Sequence, residues 1–168
     1  MGVPQARHRV FFVGLRKDVN VEPRTIDMSF NYEPIMYGDI KNGEGAELSN
    51  NTVCYKWLLK AKHGDTGLDK PIEREGLPRS LFSEKVLWDD LIAPTLVASA
   101  CYYRGKEKTR ISVEDIIHIQ TFPEDYDFMK ESFERIKYVC GMSVPPIMIK
   151  RIVHRLIENG VFDYAKLR

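Results

Sequence analysis

The run Val10-Phe11-Phe12-Val13-Gly14-Leu15 constrains the fold of this chain more than any other stretch. It is too short for a confident helix and too continuously apolar for a half-exposed strand. It therefore reads as a strand covered on both faces, the kind found in parallel or mixed α/β sheets. Such a strand needs neighbours, and the sequence offers few, so the rest of its sheet is expected elsewhere. Just before it, Pro4-Gln5-Ala6-Arg7-His8-Arg9 spaces Gln5, Arg7 and Arg9 two apart, which puts them on one face of an extended segment. An amide and two guanidiniums on one face suit phosphate oxygens and base edges. A solvated charge pair at a strand start is the alternative reading.

Downstream, residues 16–50 carry Pro23, Pro34, Gly38, Gly43 and Gly45 among polar spacers and read as loop or linker. Asn50–Lys62 brings Val53, Cys54, Trp57, Leu58 and Ala61 to helical spacing, behind Asn50-Asn51 and before His63-Gly64-Asp65. Residues 64–85 read as loop again, and Ile92–Ser99 as one strand leading to Tyr102-Tyr103. Ser112-Val-Glu-Asp115 is a relative of the capping box. It opens a short helix with Val113, Ile116, Ile117 and Gln120 on one side, stopped by Pro123. A last helix starts at Pro145-Pro146, buries Ile149, Ile152, Val153, Leu156 and Ile157, and closes at Asn159-Gly160. Its opposite face, Lys150, Arg151, His154 and Arg155, reads as solvated, with phosphate contact as the alternative.

Net charge is only +1, but the charge is unevenly distributed. Residues 1–25 hold five basic and two acidic groups, 100–110 four and one, 111–127 none and five, and 128–168 eight and four. Local patches of this kind, rather than the total, attract phosphate. Cys54, Cys101 and Cys140 are odd in number and irregularly spaced, which argues for a reducing compartment. His8, His63 and His154 stand at no metal-ligand spacing from any cysteine, so no metal site is read. No apolar run reaches membrane-spanning length, and arginines interrupt residues 1–20 where a signal peptide needs an apolar core. The expected location is cytoplasmic and nucleoid-associated.

Three blocks carry a family resemblance. Gly2-Val3-Pro4-Gln5-x-Arg7-x-Arg9, Arg110 to Asp127 with Ile-Gln-Thr-Phe-Pro at 119–123, and Tyr138 to Ile147 with Gly-Met-Ser-Val-Pro-Pro occur in this order. Together they resemble the last three conserved blocks of the DNA cytosine-5 methyltransferases, across residues 2 to about 157. The unmatched interval, roughly 25–95, is where that family holds its variable target-recognition region. The resemblance implies a mixed α/β fold. It would comprise an incomplete piece of a Rossmann-like S-adenosylmethionine-dependent domain (one strand and the C-terminal helix) and a small α+β target-recognition domain. The implied division is 1–30 catalytic, 31–137 target-recognition, and 138–168 returning to the catalytic domain.

The same resemblance implies roles for individual residues. Arg9 lies by the extruded cytosine, with Arg7 beside it on the DNA backbone and Gln5 fixing the loop. Gly141, Met142 and Ser143 correspond to the block that meets S-adenosylmethionine, where the family has asparagine in place of Met142. Glu114 and His118 stand where the family has arginines that organise the recognition domain through ion pairs. The loop Tyr102, Tyr103, Arg104, Lys106, Lys108, Arg110 is read as facing double-stranded DNA, tyrosines on sugars and cations on phosphates; an ordinary exposed loop is the alternative. The family's glycine-rich cofactor loop, Pro-Cys nucleophile and Glu-Asn-Val block are not in this sequence. Two readings follow. The chain is a C-terminal fragment or subunit, inactive alone, whose partner is the N-terminal catalytic part or a companion subunit. Or it is a catalytically inactive methyltransferase-like module for regulation or DNA binding.

Overall fold

The computed structural model describes residues 1–18 and 21–161. The expected third segment, 138–168, thus lies partly outside the described residues, as do Asp163, Lys166 and Arg168 of the basic chain end. The architecture is mixed α/β with two small sheets. β1 (Gln5–Ala6) pairs in parallel with β3 (Ala93–Pro94). β4 (Cys101–Arg104) lies between β2 (Glu84–Leu87), which is parallel to it, and β5 (Thr109–Arg110), which is antiparallel. Among the described residues no helix is long and apolar enough to cross a membrane.

The apolar run does not behave as read. Residues 10–15 join no ladder, Val10 is 80% and Phe12 95% exposed, and only Phe11 and Leu15 dock. No strand of the described residues comes beside it, so one face meets a helix and the other stays bare. The strand expected over 92–99 shrinks to β3, because Pro94 cannot donate to a ladder and the chain turns at Val97–Ala100.

Helix ends follow local signals. Before α1 (Tyr37–Ile40), the chain makes a single 3₁₀ turn at Pro23–Thr25. α2 (Val53–Lys60) starts where Thr52 Oγ1 accepts the Tyr55 N–H at 3.2 Å. α3 (Asp69–Arg74) occupies a stretch read as loop; its Pro71 falls in the first turn, where amide protons have no intrahelical partner. It closes on Gly76 at φ 73°, with Gly76 N–H to Glu73 O at 3.0 Å and Leu77 N–H to Ile72 O at 3.3 Å, a Schellman motif. α4 (Val113–Gln120) carries the anticipated box: Asp115 N–H donates to Ser112 Oγ at 2.9 Å and Ser112 N–H to Asp115 Oδ2 at 3.1 Å. It ends at Thr121, in the left-handed region at φ 63°, before Pro123 is reached. α5 (Phe133–Met142) was not anticipated. α6 (Pro146–Glu158) closes on Gly160 as expected, with Val161 N–H on Leu156 O at 2.9 Å.

Three apolar clusters hold these elements. The first runs from Tyr37 through Leu87, Leu96, Tyr102 and Ile116 to Cys140. The second packs Leu58, Leu68, Val86 and Tyr103. The third packs Ile152, Leu156 and Val161 of the α6 region against Phe11, Leu15 and other residues of the N-terminal segment. α5 contributes Phe133, Ile136 and Cys140 to the first cluster. On α6 the buried stripe is Met148, Ile152 and Leu156, whereas Ile149 and Val153 are 43% and 39% exposed. Its polar face is not simply solvated. Arg151 stacks on the Tyr32 ring at 3.7 Å and donates to the Met1 and Gly2 carbonyls, and Arg155 donates to Ser29 O at 2.7 Å.

Candidate functional site

Short β1 brings two polar side chains to the ends of two helices. Gln5 Nε2 donates to Ile119 O at 2.8 Å and to Gln120 Oε1 at 2.9 Å, at the C-terminus of α4. Its Oε1 accepts the Leu96 N–H at 3.1 Å, next to β3. Arg7 donates through Nη1 to Leu96 O at 2.7 Å, and through Nη2 to Gly141 O at 3.2 Å and Ser143 O at 2.7 Å, at the C-terminus of α5. Gln120 Nε2 completes the network on Ser143 O at 2.9 Å and Ser143 Oγ at 2.7 Å. Gln5, Gln120 and Ser143, one from each block singled out in the sequence, thus share one buried polar core.

Arg7 is 7% exposed and has no carboxylate partner among the described residues, while its Nε is buried without a hydrogen bond. Burial lowers its pKa, and repulsion from Arg9 adds to this. The cation is tolerated because the unpaired carbonyls of a helix C-terminus carry partial negative charge. Arg7 therefore caps a helix rather than lying exposed, and Gln5 is buried beside it. Arg9 parts company with them. A hydrogen bond from Arg7 N–H back to Gln5 O at 2.9 Å turns the chain after β1, so Arg9 emerges exposed, its Nη1 on His8 O at 2.7 Å. It lines a cavity of about 430 Å³ with Tyr32, Pro34 and Ile92.

The aromatic-basic loop is mostly interior. Tyr102 is 1% exposed; its hydroxyl accepts the Val97 N–H at 2.6 Å and donates to Thr95 O at 3.0 Å, and burial pushes its pKa up to about 12. Tyr103 donates to Glu84 at 2.6 Å. Arg104 pairs with Asp115 at 2.7 Å, both side chains nearly sealed, and also reaches the carbonyls of Asn42 and Gly43. Burial alone would lower the Arg104 pKa, but the Asp115 carboxylate outweighs it and the net shift is upward. Lys108 Nζ donates to Leu58 O at 3.0 Å at the end of α2, and Arg110 pairs with Glu134 at 2.6 Å over the Phe133 ring. Tyr102, Tyr103 and Arg104 are buried on β4, while Lys108 and Arg110 are half-buried. Lys106 alone of the six is exposed.

Tyr37, Asp115 and Gln120 are the residues that sequence reasoning undervalued. Tyr37 donates to Asp115 Oδ2 at 2.7 Å and binds α1 to α4. Burial, reinforced by the Asp115 charge, raises its pKa well above the usual tyrosine range. The capping box did identify Asp115, but as a cap only. Glu114 is exposed and takes no part, so the ion pair that organises this region is Arg104–Asp115. His118 Nδ1 instead lies 3.0 Å from Ile40 O, at the end of α1.

The turn corresponding to a cofactor contact does not fit S-adenosylmethionine as a polar cradle. The Ser143 hydroxyl donates to Cys140 O at 2.9 Å and accepts from Gln120; its amide is bonded to Val139 O at 3.0 Å. Met142 is 66% exposed and has only a thioether to offer. A Cβ on Gly141 would meet the backbone of Val97 and Ala98, which accounts for glycine there by close packing.

A small mixed α/β body whose three sequence blocks converge on one buried hydrogen-bond network, with a lone arginine projecting beside it, is the class the structure defines. The chain matches the C-5 cytosine-specific DNA methylase family over residues 1–158 and belongs to it. It is 29% identical to the Type II methyltransferase M.BspRI of Lysinibacillus sphaericus over 98% of this chain and 42% of that protein. It is 27% identical to M.BbvI of Brevibacillus brevis, covering 94% and 46% of the two chains, and 24% identical to M.FnuDI of Fusobacterium nucleatum, covering 99% and 54%. The chain thus spans about half the length of the curated relatives it matches. No solved structure matches it at a comparable level.

Proposed function

We propose that this chain works as the C-terminal half of a DNA cytosine-5 methyltransferase. In this reading it supplies target recognition and one wall of the cytosine pocket. The nucleophilic thiolate and the glycine-rich loop for S-adenosylmethionine come from an N-terminal part or a companion subunit. Double-stranded DNA is the substrate, the base leaves the stack to react, and the setting is nucleoid-associated DNA modification; the relatives, named as Type II methyltransferases, support this reading. The division proposed is 1–30 and 138–168 with the catalytic domain and 31–137 as the recognition domain.

The observation that carries this reading is apolar surface left uncovered. Val10, Phe12 and Val13, and on α6 Ile149 and Val153, leave apolar side chains in water where an upstream sheet would cover them. Arg9, exposed next to Val10, is the group assigned to the flipped cytosine. There a fixed cation stabilises negative charge developing on the ring. Of the basic loop, Lys106 is left to meet phosphate. The second reading, a degenerate module, is motivated by Met142, which lacks the family's amide, and by Glu114 and His118.

The deciding experiment uses tritiated S-adenosylmethionine and duplex DNA. Label is expected in DNA only when this chain is combined with a polypeptide carrying the Pro-Cys and glycine-rich blocks. Labelling by this chain alone sinks the fragment reading; no labelling by any such combination, with DNA binding retained, supports the degenerate module.

A further inference from the structure

We infer that the 141–144 turn of this chain is a clasp between helices whose Ser143 side chain and amide are not available to S-adenosylmethionine, which leaves the Met142 thioether and carbonyl and the Val144 amide as the groups that could meet it. The inference rests on the proposed function in taking this turn to face the cofactor-bearing half. Its content is a disagreement between these residues and the polar contacts that the resemblance assigns to them.

The methionine end of the cofactor carries a carboxylate, which needs donors, and an ammonium, which needs acceptors. Each polar atom of Ser143 is committed elsewhere, and the Gly141 carbonyl is taken by Arg7. Ser143 O accepts from both Arg7 and Gln120, and Ser143 Oγ–H is spent on Cys140 O. The Ser143 amide is spent on the last turn of α5. Pro145 and Pro146 have no N–H, and the Ile147 N–H donates to Thr121 Oγ1 at 3.2 Å. The Val144 N–H has no hydrogen-bond partner among the described residues, so it is the donor left over. Freeing the serine hydroxyl would strip Gln120, which is fully buried, of an acceptor. An unmatched buried amide is costly, so the clasp holds. Met142 can add apolar contact and a weak sulfur acceptor, but no donor.

The test has two arms. In this chain alone, Ser143→Ala is expected to lower Tm by about 3–6 °C, the scale of one or two lost hydrogen bonds in a chain of this length. An unchanged Tm overturns the clasp. In the chain combined with its catalytic half, calorimetry with S-adenosylhomocysteine is expected to give a Kd within about twofold of the parent for Ser143→Ala. Met142→Asn, which restores a side-chain amide, is expected to tighten binding about tenfold, the scale of one charge-assisted hydrogen bond. A tenfold loss on Ser143→Ala, or no gain on Met142→Asn, overturns the inference. If the combined parent proteins bind no S-adenosylhomocysteine, the proposed function fails, and the Tm arm still decides the clasp.

Discussion

Removing Arg104 tests whether the region joining α1, β4 and α4 is organised by its buried ion pair. The guanidinium is 2.7 Å from Asp115, with side chains 6% and 0% exposed. Arg104→Met leaves Asp115 with three donors, Tyr37 Oη, the Asn42 amide and the Ser112 amide. The cost therefore sits at the lower end of the range for breaking a buried pair, about 3 kcal/mol. Asp115→Leu strands the guanidinium on the Tyr37 hydroxyl and two carbonyls and removes the α4 cap as well, for about 3–5 kcal/mol. The double variant buries no orphan charge and should cost about 3–4 kcal/mol, well short of the sum, giving a coupling of about 3–4 kcal/mol. Urea denaturation followed by the fluorescence of Trp57 and Trp88 measures all four corners of the cycle. A coupling under about 0.5 kcal/mol would falsify the claim that these two charges compensate each other.

Other expectations follow from single positions. In the combined enzyme, Arg9→Ala should depress methyl transfer by an order of magnitude or more while changing DNA affinity little; equal losses in both quantities would remove Arg9 from the cytosine pocket. Lys106→Ala should weaken binding to all duplexes alike and flatten its salt dependence by about one unit of slope, whereas Lys108→Ala should cost stability instead, by urea titration. Gly141→Ala should be strongly destabilising, because its methyl group would fall 2.7 Å from the Val97 carbonyl carbon; a Tm within 1–2 °C of the parent would refute the close approach. Burial pushes the Cys140 thiol up to about 12, so in the folded chain it stays protonated at pH 8 and should resist iodoacetamide until urea unfolds it. Because that pKa is raised, stability should fall as pH climbs above about 9, where the unfolded thiol ionises and the folded one does not. Cys140→Ala should make this alkaline decline shallower, the remainder coming from Cys101 and the buried tyrosines, whose pKa values burial also raises.

What the sequence disclosed was local. The ends of α2, α4 and α6 are written in Thr52, Ser112 with Asp115, and Gly160, residues that act within four positions of the bond they make. α3 was hidden by Pro71, which looks like a breaker until its place in the first turn is known. Arg104 looked like a DNA contact because composition cannot tell which side of a strand is covered, and its partner lies on another element. Gln5 and Arg7 were singled out for the right reason, their shared face, but what that face meets is set by helix ends more than 110 residues away. Val10–Leu15 was read as needing neighbours, and in the described residues it has none.

The caps that β1 supplies to α4 and α5 join residues 114 and 134 apart in sequence. Contacts that distant form slowly, since a long loop must close before they add anything. During synthesis, residues 5–7 leave the ribosome well before α4 and α5 and cannot cap them until those helices have been made. Maturation of this region is thus a closing step, in which an earlier segment locks a later one.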